Sequence, residues 1–164
     1  MAITYEPIAS TTLSSATNLI TFSSIPQTYT DLRIVWVFKS VSSGNYPFLR
    51  FNNVIESTFS YTTLYGTGSA AGSQKSSNNN GAYLVSYAAA STTDWQMETI
   101  DIFSYTSSNY KTILNRYSGS SNFVSAGVNL WRNTSAITSI NIQFDSEGNM
   151  PVGTTATLFG IKAA

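Results

Sequence analysis

Apolar and polar residues alternate with period two along most of the chain. Leu32, Ile34, Trp36 and Phe38 share one face of Asp31–Phe38, and Arg33, Val35 and Val37 share the other. That segment is expected to be a strand buried on both sides. Ile100 and Ile102 alternate with Thr99, Asp101 and Phe103. Val124, Ala126, Val128 and Leu130 alternate with Ser125, Gly127, Asn129 and Trp131. Ile140, Ile142 and Phe144 alternate with Ser139, Asn141 and Gln143, and Thr157, Phe159 and Ile161 with Ala156, Leu158 and Gly160. Each of these reads as a half-buried strand with one solvent face. Weaker alternation covers 19–23, 48–52, 58–65, 83–88 and 111–118.

These segments amount to about nine or ten strands at short, regular spacing, separated by turn residues. Ser42-Ser43-Gly44-Asn45, Ser118-Gly119-Ser120-Ser121-Asn122 and Asp145-Ser146-Glu147-Gly148-Asn149 all have hairpin composition. No stretch carries a 3.6-residue period with caps, and Tyr87-Ala88-Ala89-Ala90 is too short to nucleate a helix. The fold class expected is all-β: a single-domain antiparallel sandwich, jelly-roll-like. Residues 1–16 are weakly patterned and read as an N-terminal arm or a frayed segment, with the sandwich occupying 17–164. The longest break is 66–81, GTGSAAGSQKSSNNNG, which has no periodic apolar residue. It is expected to be a long loop, either a plain surface loop or one that orders against a neighbouring subunit.

Composition narrows the function. The 164 residues include no His and no Cys, and only 10% are charged. That removes thiol catalysis, thiolate metal sites and the usual general base. No catalytic residue, cofactor site or metal site is therefore assigned. Among the carboxylates, Glu98 and Asp101 stand three apart in one strand and point to opposite faces, so they make no catalytic pair. Asp145 and Glu147 are ordinary turn acids and lack the register of a calcium loop. With no His to titrate, a change of assembly near neutral pH is expected to originate in a partner.

Eight basic and eight acidic residues cancel. The basic ones form no stripe, which argues against nucleic acid as a partner. No apolar run is long enough to span a membrane, and the N-terminus has no signal-peptide pattern, so the chain is expected to be made in the cytoplasm.

What remains is aromatic and hydroxyl surface: ten Tyr, nine Phe and three Trp. Tyr and Trp suit interfaces and sugar platforms. The candidate partner-contact residues are Tyr61 and Tyr65 before the long break, Gln74, Lys75 and Asn79 within it, Tyr105 and Tyr110 around Ser107-Ser108-Asn109, and Trp131 with Arg132. For each aromatic the competing assignment is a cross-strand pair that stabilises the sheet. Trp36 is assigned to the core, and Trp95 to neither place.

Segment 20–35, ITFSSIPQTYTDLRIV, resembles a recurring opening of small virion proteins of tailed bacteriophages. The same likeness extends to Tyr5-Glu6-Pro7-Ile8-Ala9, Leu49-Arg50-Phe51-Asn52-Asn53, Tyr61-Thr62-Thr63-Leu64-Tyr65-Gly66 and Ala156-Thr157-Leu158-Phe159-Gly160-Ile161-Lys162. The resemblance implies a β-rich structural component of the particle, with other virion proteins and further copies of itself as partners. It carries no catalytic residues. The expected role is a capsid decoration or cement protein that stabilises the shell by contact. The alternative is a tail-appendage domain binding host glycans through exposed Tyr and Trp.

Overall fold

A computed structural model describes residues 5–85, 89–119, 122–146 and 148–162. Among them are twelve strands: β1 (Tyr5–Thr12), β2 (Leu19–Phe22), β3 (Asp31–Phe38), β4 (Pro47–Phe51), β5 (Phe59–Gly66), β6 (Ala71–Asn79), β7 (Ala82–Tyr83), β8 (Gln96–Ile102), β9 (Lys111–Ser118), β10 (Val124–Trp131), β11 (Ile140–Phe144) and β12 (Thr155–Ile161). No helix occurs among the described residues. The strands make an antiparallel sandwich of unequal layers. Eight strands run in the order β1-β12-β3-β8-β9-β10-β5-β6, and four in the order β2-β11-β4-β7. The strand expected over 83–88 is limited to β7, and residues 86–88, which include part of the weighed helical stretch, lie outside the described residues. So do Ser120, Ser121 and Glu147 of the two later turns.

The core lies between the layers and mixes aliphatic side chains with a cluster of aromatic rings. Trp36 stacks on Phe38 at 3.8 Å between ring centroids. Trp131 packs edge-on against Phe51 and stacks with Phe59. Ile140, Ile142 and Phe144 of β11 complete the floor, all fully buried. The assignment of Trp36 to the core is correct. β3, however, is buried on one side only: its Arg33, Val35 and Val37 face is half-exposed on the outside of the larger sheet.

Both segments expected to lack regular structure are strands. β1 lies within the predicted arm and pairs with β12 along its length, with a bulge between Pro7 and Ala9. Pro7 has no N–H to donate, and at a sheet edge none is needed. Glu6 ties the strand down, accepting from Lys162 Nζ and from the Tyr29 hydroxyl, each at 2.9 Å.

The predicted loop 66–81 is instead a turn at 67–70 followed by β6, which pairs with β5 from Ala71 to Asn79. An edge strand with a ready partner needs hydrogen bonds more than side-chain burial, so its hydroxyl and amide composition hid it. Gly72 leaves room for a neighbouring ring there. The Tyr65 ring lies across the strand where a Cβ at 72 would stand 2.6 Å from its hydroxyl.

The alternation in β10 is present but inverted. Ser125, Gly127, Asn129 and Trp131 face the core, while Val124, Ala126 and Val128 are exposed and Leu130 is half-exposed. A strand alternates rigidly, so burying Trp131 takes Asn129, Gly127 and Ser125 inward with it. The neighbours follow suit. Asn115 of β9 and Thr63 of β5 point in, and Leu114 and Leu64 point out. Gly127 makes this possible, because a Cβ there would stand 2.6 Å from Asn115 Oδ1 and 3.1 Å from Thr63 Oγ1.

Candidate contact face

Register fixes the outer surface of the larger sheet row by row. One row runs Val35, Thr99, Arg116, Ala126, Leu64, Ser73. The next runs Arg33, Asp101, Leu114, Val128, Thr62, Lys75. Leu64 is 62% exposed, Val124 55% and Val128 47%. Leucine walls from β5 and β9 flank the small Ala126, leaving a groove of about 440 Å³ that includes Thr62, Val128 and Arg116 in its lining.

Beside this groove the face turns cationic. Asp101 accepts from Arg33 Nε at 2.5 Å and Nη2 at 3.0 Å, and from Arg116 Nη2 at 2.9 Å. The Asp101 contact raises the Arg33 pKa. One carboxylate thus serves two guanidinium groups, leaving a net positive charge. Among the described residues Arg116 donates a side-chain hydrogen bond to Asp101 from Nη2, and its side chain is largely exposed. A hollow of about 390 Å³ lies between the two arginines, rimmed by Thr99 and Ser118 hydroxyls. Glu98 and Asp101 do point to opposite faces, as their spacing requires: Asp101 joins this cluster and Glu98 enters the core.

The predicted contact residues fare unequally. Lys75 is exposed on the outer face, in the row of Val128 and Leu114. Tyr110 is exposed on the loop before β9. That loop is held by Lys111, whose buried Nζ donates to the Ser107 and Asn109 carbonyls at 2.7 Å. Tyr61, Tyr65, Gln74 and Asn79 are half-buried on the inward side of β5 and β6. Tyr61 packs across the layers on Tyr83, while Tyr65 stacks with Phe123 next to the paired strand β10, the cross-strand pairing that competed with contact. Arg132 is half-exposed but engaged, donating to Ser57 O at 3.2 Å and Asn78 Oδ1 at 2.9 Å.

Trp131 and Tyr105 are corrections, since both are fully buried. Trp131 fills the aromatic core. Tyr105 donates its hydroxyl to the Pro26 carbonyl and accepts from the Tyr29 N–H. The outer residues Leu64, Leu114, Val128 and Arg116 were missed. Their signal was present in β10, where a Trp sits on the polar side of the alternation.

The core beneath the face is unusually polar. Glu98 is fully buried, and burial raises its pKa to about 8 against the pull of an Asn115 hydrogen bond of 2.8 Å. Asn115 also donates to Leu84 O, and Asn129 to Tyr83 O. The missing histidines thus do not leave the chain without a group whose pKa lies near neutrality. Among the described residues no group of three or more acidic side chains is placed to hold a metal ion, and no helix is long and apolar enough to cross a membrane. Compared with known protein families and with curated proteins, the chain matches neither a family nor a curated sequence.

Proposed function

We propose that the chain is a non-enzymatic structural protein of a bacteriophage particle, decorating or cementing the capsid by contacts between subunits. The observation that carries this reading is the outer face of the larger sheet. Leu64, Leu114, Val124 and Val128 lie open there while Asn115, Asn129 and Thr63 are spent inside. Contiguous apolar surface rimmed by polar residues marks an interaction site. A sandwich that puts leucine and valine outward across three adjacent strands gains from being covered. The motif likeness of 20–35 to virion proteins supplies the setting. The mechanism is area rather than chemistry: many copies on a lattice bind through avidity, and mass action on the assembled state holds the shell together.

The test is the copy number of the chain in purified particles by quantitative gel densitometry. A number comparable with that of the shell subunit is expected. A number comparable with that of a tail appendage would sink the cement reading in favour of an appendage. Val128→Asp, which places a charge at the centre of the face, is expected to lower the bound copy number at least tenfold.

A further inference from the structure

Two features on different parts of the surface match each other. The first is the loop between β4 and β5. Ile55 at its tip is 70% exposed, more than any other large apolar side chain described. The adjacent Glu56 carboxylate is exposed, and it makes no hydrogen bond or ion pair within the described residues. The remaining described carboxylates do not share this position: each of Glu6, Asp31, Asp94, Glu98, Asp101 and Asp145 has a hydrogen-bond donor of its own.

The base of this loop is tied to the neighbouring elements. Asn52 and Asn53 both adopt left-handed backbone, at φ of 52° and 57°. Asn52 Oδ1 accepts from the Thr138 N–H at 2.8 Å, Asn52 Nδ2 donates to Ala136 O at 2.8 Å, and Asn53 Oδ1 accepts from Asn141 Nδ2 at 2.7 Å. The Glu56 carbonyl accepts from the Thr58 N–H at 2.8 Å. Two strained residues and a hydrogen-bonded frame thus present an isoleucine and an unpaired carboxylate to solvent, prepaying the ordering cost that a mobile loop would incur on binding.

The second feature is the outer groove, which needs the complementary pair: an apolar side chain over Ala126 between Leu64 and Leu114, and an anion at Arg116. A copy cannot fill its own groove with this loop. Phe59, where β5 leaves the loop, is separated from Leu64 by roughly 17 Å of extended strand, and the loop is tied at its own end of the sheet.

We infer that the groove is the seat for the Ile55–Glu56 tip of a second copy of this chain, with Ile55 over Ala126 and Glu56 on Arg116. This rests on the reading of the outer face as a contact surface and names its occupant. The contact joins unlike surfaces, so two copies either exchange tips reciprocally in a symmetric pair or pass the contact on around a ring or across a lattice. One loop in one groove buries far less than the area of a standard stable interface, so each contact is weak alone, in the micromolar to millimolar range, and depends on repetition.

Sedimentation equilibrium of the purified chain over that concentration range, at low and high salt, tests it. Association that weakens with salt is expected. Ile55→Asp and Glu56→Arg alter only the exposed tip and leave folding intact; each is expected to weaken association about tenfold or more, as is Arg116→Glu. The double variant Glu56→Arg/Arg116→Glu is expected to recover association to within a few-fold of the parent. A parent chain that stays monomeric, tip variants that associate as well as the parent, or a double swap that fails to recover while its thermal unfolding is normal each overturns the inference. Particle binding at full copy number by a chain that never self-associates overturns this inference alone. Self-association with no enrichment on particles overturns the decoration reading alone.

Discussion

The two halves of the large sheet solve one packing problem in opposite ways. β12, β3 and β8 send apolar residues inward: Leu158, Leu32, Ile34, Trp36, Phe38, Ile100 and Ile102 are all fully buried. β9, β10 and β5 send in Asn115, Ser125, Asn129 and Thr63 among their aromatics, and keep Leu114, Val124, Val128 and Leu64 outside. Glu98 sits on the seam, on the last strand of the first half, hydrogen-bonded to Asn115 on the first strand of the second. The first half buries its largest apolar side chains, although Val35, Val37 and Met97 remain on its outer side. The second gives up burial of aliphatic side chains, and the face it leaves open is the one suited to a partner.

The largest expected effects come from the residues that anchor each half. Trp131→Ala is expected to destabilise by roughly 3–5 kcal/mol and Ile34→Ala by roughly 2–5 kcal/mol in urea unfolding. A loss well below 1 kcal/mol at Trp131 would remove the reason for the inverted phase of β10.

The seam should appear as a pH dependence. Between about 4.5 and about 8 the folded chain keeps a proton on Glu98 that the unfolded chain has released. Stability from Glu98 is therefore greatest at acid pH and is lost as pH rises through that window, by up to about 1.4 kcal/mol per pH unit. Glu98→Gln should flatten the slope; an unchanged slope would mean another group is responsible.

Gly127→Ala should cost roughly 1–3 kcal/mol, because its Cβ meets Asn115 at the centre of the polar half. The smallest effect belongs to the open face. Leu64→Ser and Val128→Thr are each expected to change monomer stability by about 0.5 kcal/mol or less. A loss as large as that of Ile34→Ala would show that the face contributes to folding and would erase the contrast between the halves.

Of the surface candidates, Lys75 and Tyr110 were legible because a lone Lys among hydroxyls, or a Tyr beside a Ser/Asn turn, is seldom buried. Trp131 and Tyr105 were misread because an aromatic next to a polar residue looks alike in a core and at an interface. The Ile55–Glu56 tip was not legible at all. Its significance lies in the pair of left-handed asparagines and in the groove it matches, and neither has a periodic signature.

The alternation, the turn residues and the absence of a helical period were enough to determine an antiparallel all-β chain, and the missing His and Cys determined which side chains were left for chemistry. The tertiary structure alone decided which face of β9, β10 and β5 points inward, and that 1–16 and 66–81 supply edge strands. A period of two is unchanged when inside and outside are exchanged, so the pattern marks a strand without giving its sense. The sense is set by a residue too large to leave out, Trp131, and by the neighbouring strands that must share its phase. Edge strands draw their stability from a partner's backbone, so their own side chains leave little record of them.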